Sequence, residues 1–403
     1  MNTNNSRLAI GVLGLVLVIL LVVFVMQRLS RPESTPSPIN VTATVDDTPL
    51  SPTASPESEV ASSDHSFEDI QLAWFYKPPE KDSLPTIAEN YDIFVLTHKD
   101  EGQRDRLRSL GVKSPIYVYL QLVEIRDPGS CTEGPQGNQV AYEPGDFCEI
   151  SENHPDWFLL DQNGQRIVTG NNTYYMDPGN PEYRAFWLER AKALREEYDW
   201  DGVFIDNVEV SLNKLENAEI APAKYPNDAS YQVAIEGFLK YLYESYFQPN
   251  RLPVLANIIS VDDWEVWLSY LQYLDGAMIE AFAVDWSNGY RSPTDWKEQM
   301  TAAEQALAQE KTLILVSQSG VARPKHQLFS LASYLLVANK NAYFRYADSD
   351  DYREISLYEN YSLDLGTPLG PRYKDGTFWR RDFTNGIVLV DPKANSAEIQ
   401  LSP

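Results

Sequence analysis

The sequence predicts an α/β protein folded as an eight-stranded (β/α)8 barrel, and three observations point there. Eight short apolar runs with strand character recur along the chain. Segments with helical periodicity lie between most of them. Neither GxGxxG nor GxxxxGK[ST] follows an early run, as a doubly wound nucleotide-binding sheet would require. The barrel is expected to carry a long insertion after its third strand and a small C-terminal β appendage. One N-terminal transmembrane helix and a disordered linker precede it, so the expected organisation is anchor 1–31, linker 32–66, barrel 67–350 and β segment 351–403.

Residues 8–26, "LAIGVLGLVLVILLVVFVM", are an uncharged apolar run. At about 1.5 Å per residue it can just span the roughly 30 Å of a bilayer's hydrocarbon. It is longer than the apolar region of a cleaved leader and lacks a small-residue cleavage site, so it reads as an uncleaved anchor. Arg7 lies on one side and Arg28 and Arg31 on the other, so flanking charge alone does not orient it. The only cysteines, Cys131 and Cys148, both fall in "CTEGPQGNQVAYEPGDFC". A loop-closing disulfide is preferred over two free thiols, which implies an oxidising compartment. The expected location is therefore the cell membrane, single-pass, with the folded domain outside the cytoplasm. More than half of residues 32–66 are Pro, Ser or Thr, and none is aromatic. Such a segment buries too little apolar surface to offset chain entropy and should act as an extended tether.

The barrel strands are expected at 71–76, 91–98, 115–122, 202–206, 252–258, 276–282, 312–318 and 342–347. Residues 181–198 place Tyr183, Phe186, Trp187, Leu188, Ala191 and Leu194 largely on one helical stripe, with Asn180 as cap and Pro181 in the first turn. Similar helices are expected at 228–247, 263–272, 293–310 and 326–339. Residues 123–180 form the insertion, with a hairpin at "WFLLDQNGQRIV", and Asp177 in "YMDPGNP" orders the turn before the helix. From Asp375 on, "NG" and "DPKANS" mark turns between the short strands of the appendage.

In such barrels the chemistry gathers at the C-terminal ends of the strands. Asp206 ends the fourth strand run, "DGVFID", and Glu280 lies near the end of the sixth, "GAMIEAF". Period-two alternation puts Asp206 on one face with Phe204 and Gly202, and Glu280 with Met278 and Gly276. A lone acid after a strand ordinarily caps a helix or meets solvent. Two acids inside apolar strand segments carry a desolvation cost that functional sites tolerate. Together they suit glycoside hydrolysis, in which one acid attacks the anomeric carbon or activates water and the other protonates the leaving oxygen. Glu209 and Asp285, each a few residues beyond a strand end, are the rival carboxylates and are read as loop or substrate-contact residues.

The order "HPDWFLLDQNGQRI", "YMDPGNPEYRAFWLERAKAL", "WDGVFIDNV", with "IEAFA" further on, resembles glycosyl-hydrolase-like family 15 across roughly residues 70–350. It is similar, more loosely, to the endo-α-1,4-polygalactosaminidase family and to retaining α-galactosidase-type barrels. The resemblance implies a TIM barrel with Asp206 as nucleophile and Glu280 as acid/base. The anchor, the linker and the cysteine loop are not part of the shared pattern.

Trp74 and Tyr76 on strand one, Tyr119 and Gln121 on strand three, and Asn257 ending strand five lie where a sugar could stack or hydrogen-bond, although Trp74 and Tyr119 also suit a core. The four histidines show no paired spacing, and Ser317 and Ser319 lack a GxSxG elbow, so no metal and no cofactor is expected. His98 could contact substrate but reads as structural. A net charge of −25 argues against nucleic acid and is compatible with a neutral or cationic substrate. The expected partners are a carbohydrate and, through the N-terminal helix, the membrane. Two functions remain: a tethered glycosidase, retaining in mechanism, or a catalytically inactive glycan-binding barrel.

Overall fold

The computed structural model describes residues 69–75, 83–135, 138–285, 287, 289–319, 323–347 and 352–402. The expected anchor, the linker and Tyr76 lie outside the described residues. Among the described residues no helix is long and apolar enough to cross a membrane.

Eight parallel strands follow one another around a single sheet: β1 (Ala73–Phe75), β2 (Ile93–Leu96), β3 (Ile116–Gln121), β4 (Gly202–Glu209), β5 (Val254–Ile259), β6 (Gly276–Glu280), β7 (Thr312–Gln318) and β8 (Ala342–Ala347). The Leu72–Phe344 bridge returns the sheet on itself, so this is a (β/α)8 arrangement consistent with a TIM barrel. Its helices are α1 (Leu84–Asn90), α2 (Glu101–Ser109), α3 (Pro181–Glu196), α4 (Asp228–Leu242), α5 (Trp264–Tyr270), α6 (Pro293–Ala308) and α7 (Pro324–Val337). The first two close the short β1–β2 and β2–β3 crossovers, where no helix is expected from the sequence.

Alternation along each strand sorts the side chains into two apolar cores. Ala73, Phe75, Ile93, Val95, Tyr117, Tyr119, Phe204, Leu255, Met278, Ile314 and Val316 fill the barrel interior. Their neighbours in sequence pack outward beneath the helices. Gly276 makes the crowded interior possible. A Cβ there would sit 2.1 Å from the Thr312 carbonyl oxygen and 2.8 Å from Leu255, so any side chain would force neighbouring strands apart.

Helix α3 fastens the end of β3. The Asn180 side chain accepts from the Glu182 and Tyr183 amides, Pro181 opens the helix, and Tyr183, Trp187, Leu188, Ala191 and Leu194 are buried. The Tyr183 hydroxyl then donates to the Leu122 carbonyl at 2.8 Å, and the Trp187 indole to that of Gln121 at 2.9 Å. Asp177 orders the preceding turn by accepting from the Gly179 amide, Lys224 and the Tyr225 hydroxyl.

The insertion after β3 holds a three-stranded antiparallel sheet (Glu124–Arg126, Thr173–Tyr175, Val168–Thr169) and a helix, Asp146–Asn153. Cys131 and Cys148 form the disulfide that closes its loop. The C-terminal appendage is a four-stranded antiparallel sheet, β9 (Tyr373–Asp375), β10 (Phe378–Phe383), β11 (Gly386–Asp391) and β12 (Ser396–Leu401). Arg381 of β10 joins it to the barrel by donating to the Leu335 and Ala338 carbonyls at the C-terminal end of α7.

Candidate active site

Extending each interior face one step past the apolar layer gives Gln121, Asp206, Asn257, Glu280 and Gln318, on the consecutive strands β3 to β7. Each is at or near its strand's C-terminal end. Apolar side chains below and polar ones above are the arrangement expected at the catalytic mouth of such a barrel.

Asn257 ties the two acids together. Its Nδ2 donates to Asp206 Oδ1 and to Glu280 Oε2, each at 3.0 Å. Two oxygens that share one nitrogen at that distance lie no more than about 6 Å apart. Asp206 also accepts from the Tyr119 hydroxyl on its other oxygen, Oδ2. Glu280 Oε1 accepts from the Tyr352 hydroxyl at 3.1 Å and from Gln318 Nε2 at 3.3 Å. Burial pushes the Asp206 carboxyl up, the Tyr119 hydrogen bond opposes it, and the charge of Glu280 raises it further, to about 6.

The backbone turns sharply behind each acid. Asn207 and Ala281 both adopt left-handed conformations, each at φ 56°, a state that disfavours residues other than glycine by roughly 1–2 kcal/mol. At Asn207 the turn coincides with a bulge between Ile205 and Val208 that ends the inward alternation at Asp206. Strain concentrated beside polar groups at a strand end is characteristic of functional sites.

Two expectations for site residues need correction. Trp74 is not at the mouth: it is fully buried in the outer layer, edge-on to Tyr91 at 5.2 Å, with the Arg345 guanidinium 4.6 Å from its ring centre. Glu209 is not a loop or substrate-contact residue. The bulge carries β4 on to it, and it is wholly buried, accepting from the Tyr175 and Tyr231 hydroxyls at 3.0 Å. Asp285 takes the loop role, one of the two expected for it: it organises its own hairpin, accepting from the Ser287 amide and hydroxyl at 2.6 Å and pairing with Arg291 at 3.3 Å.

Tyr119 and Asn257 do touch the acids, and Gln121 sits level with Asp206 in the β3–β4 register. The inserted loop packs on Gln121: the Asn138 carbonyl accepts from its amide at 2.9 Å, and Gln139 Nε2 reaches its side-chain oxygen at 3.4 Å. Gln318 and Tyr352 join the site without having been expected there from the sequence. Gln318 carries the same signal as Asn257, a polar residue ending an apolar strand. Tyr352 lies beyond β8, the last strand of the barrel, and carries none. Among the described residues no group of three or more His, Cys, Asp or Glu is placed to hold a metal ion.

The chain is similar to several solved structures. The glycoside hydrolase domain of PelA from Pseudomonas aeruginosa is 16% identical, with a TM-score of 0.48 over 72% of this chain and 98% of that one. A maltogenic α-amylase, AmyB, from Thermotoga neapolitana is 14% identical, with a TM-score of 0.46 over 80% and 85%. An α-amylase from Geobacillus thermoleovorans is 11% identical, with a TM-score of 0.45 over 80% and 85%. No curated protein matches the chain. Residues 112–387 match the model of hypothetical glycosyl hydrolase family 15, and the chain belongs to that family.

Proposed function

We propose that the protein is a retaining glycoside hydrolase acting on a polysaccharide or oligosaccharide, with Asp206 as nucleophile and Glu280 as acid/base. Membership of a glycosyl hydrolase family supports hydrolysis of a glycosidic bond. The observation that carries the mechanism is the single Asn257 amide within 3.0 Å of both carboxylates. Facing oxygens no more than about 6 Å apart favour the roughly 5–5.5 Å spacing of retaining enzymes over the about 6.5–9.5 Å that inverting enzymes leave for a water.

In the first step Asp206 attacks the anomeric carbon while Glu280 gives its proton to the departing glycosidic oxygen, so one C–O bond forms as the other breaks. In the second, Glu280 takes a proton from water, and the resulting hydroxide displaces Asp206 and restores both carboxyls. Tyr119 and Asn257 hold the nucleophile between fixed donors. Gln121, at the level of Asp206, is positioned to hydrogen-bond a sugar hydroxyl.

The proposal extends to the cell: the apolar run at 8–26 anchors the chain in the membrane, the 32–66 linker spaces the domain from it, and the disulfide supports a location of that domain outside the cytoplasm. Membrane fractionation of the full chain and of a chain lacking residues 1–31 tests the anchor, and only the full chain should sediment with membranes.

The activity is tested by screening the full-length protein against a panel of polysaccharides and 4-nitrophenyl glycosides beside Asp206→Asn and Glu280→Gln. Parent turnover that falls at least about a thousandfold in Asp206→Asn is expected. An Asp206→Asn protein as active as the parent rules out the assignment. Binding without turnover by the parent would favour the catalytically inactive glycan-binding alternative.

A further inference from the structure

The donors around Glu280 are unequally shared between its two oxygens. Oε1 accepts from Gln318 Nε2 at 3.3 Å and from the Tyr352 hydroxyl at 3.1 Å. Oε2 accepts from Asn257 Nδ2 at 3.0 Å. A carboxyl oxygen has two in-plane lone pairs, so two donors fill Oε1 and leave it no room for a proton. Oε2, with one donor, keeps a lone pair to bind one, and it is the oxygen that shares the Asn257 amide with Asp206.

The hydrogen bonds around Oε1 run in one direction. Gln318 Nε2 also donates to the Tyr352 hydroxyl oxygen, and that hydroxyl donates in turn to Glu280. Both donors are held from behind. Gln318 is the buried last residue of β7, in register with Ala347. The Tyr352 carbonyl accepts from Arg345 Nη2 at 2.7 Å, and its ring packs edge-on to Phe75 of the barrel interior, centres 5.8 Å apart.

We infer that Tyr352 and Gln318 are positioning residues that keep the transferable proton of Glu280 on Oε2, the oxygen turned toward Asp206, so that acid and nucleophile address the same glycosidic bond. The inference rests on the retaining reading above and adds to it which oxygen carries the proton and what holds it there. In the first step the Oε2–H bond breaks as the proton passes to the departing oxygen, and Glu280 is left as an anion whose Oε1 keeps both donors. In the second, Oε2 recovers a proton from water.

Loss of either donor frees Oε1 to compete for the proton, which harms only reactions that need it. The test is kcat/KM of the full-length protein on two glycosides of the sugar that the parent hydrolyses. One carries a 2,4-dinitrophenyl leaving group, which departs without protonation, and the other a methyl group, which requires it. Tyr352→Phe, which keeps the ring on Phe75, is expected to lose about tenfold on the methyl glycoside and less than about twofold on the dinitrophenyl one, with KM and Tm unchanged. Gln318→Met should show the same split and serves if Tyr352→Phe does not fold. Equal losses on both substrates, or none on either, overturn the inference. Glu280→Gln, assayed alongside, separates the two levels. If it keeps the methyl-glycoside activity, the acid/base assignment fails and the positioning role with it. If it loses that activity while Tyr352→Phe behaves as the parent, the positioning role alone is wrong.

Discussion

As the proposed nucleophile, Asp206 combines two demands that oppose each other. A nucleophile must be anionic, yet burial and the charge of Glu280 both favour its neutral form, and the Tyr119 hydroxyl and the Asn257 amide offset part of that cost. With the carboxyl near 6, kcat/KM should fall as pH drops through that value, because the protonated acid cannot attack. Tyr119→Phe removes a donor to the anion. The acid limb of the pH–kcat/KM profile should then move upward by about one pH unit, the worth of one hydrogen bond to a charged group. A limb that stays in place in the variant would show that Tyr119 does not stabilise the anion. Tyr119 emerged from the sequence as a strand aromatic that could face either core or substrate; its ring lies in the interior core and only its hydroxyl reaches the site.

At the level of elements, the strand-end rule made much of the site legible. Asp206, Asn257 and Glu280 each interrupt an apolar run on the interior face, and parity counted from one of them holds along its strand. The rule had no purchase on β1. Both faces of a parallel barrel strand are apolar, so hydropathy could not tell that Phe75 faces inward and Trp74 outward. It also stopped β4 too early, because nothing in "GVFIDNVE" announces that Asn207 will take a left-handed turn and let the strand continue to Glu209. Tyr352 depends on the path of the chain after β8 and could be placed only by tertiary structure.

The buried end of β4 has its own consequence. Burial raises the Glu209 carboxyl, Lys214 opposes this, and Glu124 adds to it, leaving Glu209 at about 7. A glutamic acid in an unfolded chain titrates near 4.3. Between roughly pH 4.5 and 7 the native state therefore binds more protons than the unfolded state, and stability falls as pH rises through that window. Asp206 contributes in the same direction over the lower part of it. Glu209→Gln should flatten the decline, removing on the order of 2–3 kcal/mol of pH-dependent stability between pH 4.5 and 8. Chemical denaturation of parent and variant across that range measures it, and parallel slopes would show that Glu209 does not titrate there.

Across the whole molecule, the barrel, the insertion and the appendage divide the work. The outer core and α3 hold β3 and β4 in register, the disulfide-closed insertion packs its Asn138 and Gln139 against Gln121, and Arg381 docks the C-terminal sheet on α7. None of these contacts has a purpose for chemistry unless the ring of polar strand ends meets one sugar. The most direct measurement is proton NMR of the first-formed product during hydrolysis of a glycoside of known anomeric configuration. Retention of that configuration is expected, because two displacements at the anomeric carbon, by Asp206 and then by water, restore the starting stereochemistry. A first product of inverted configuration would contradict a covalent intermediate on Asp206 and with it the shared-amide geometry as the basis of catalysis.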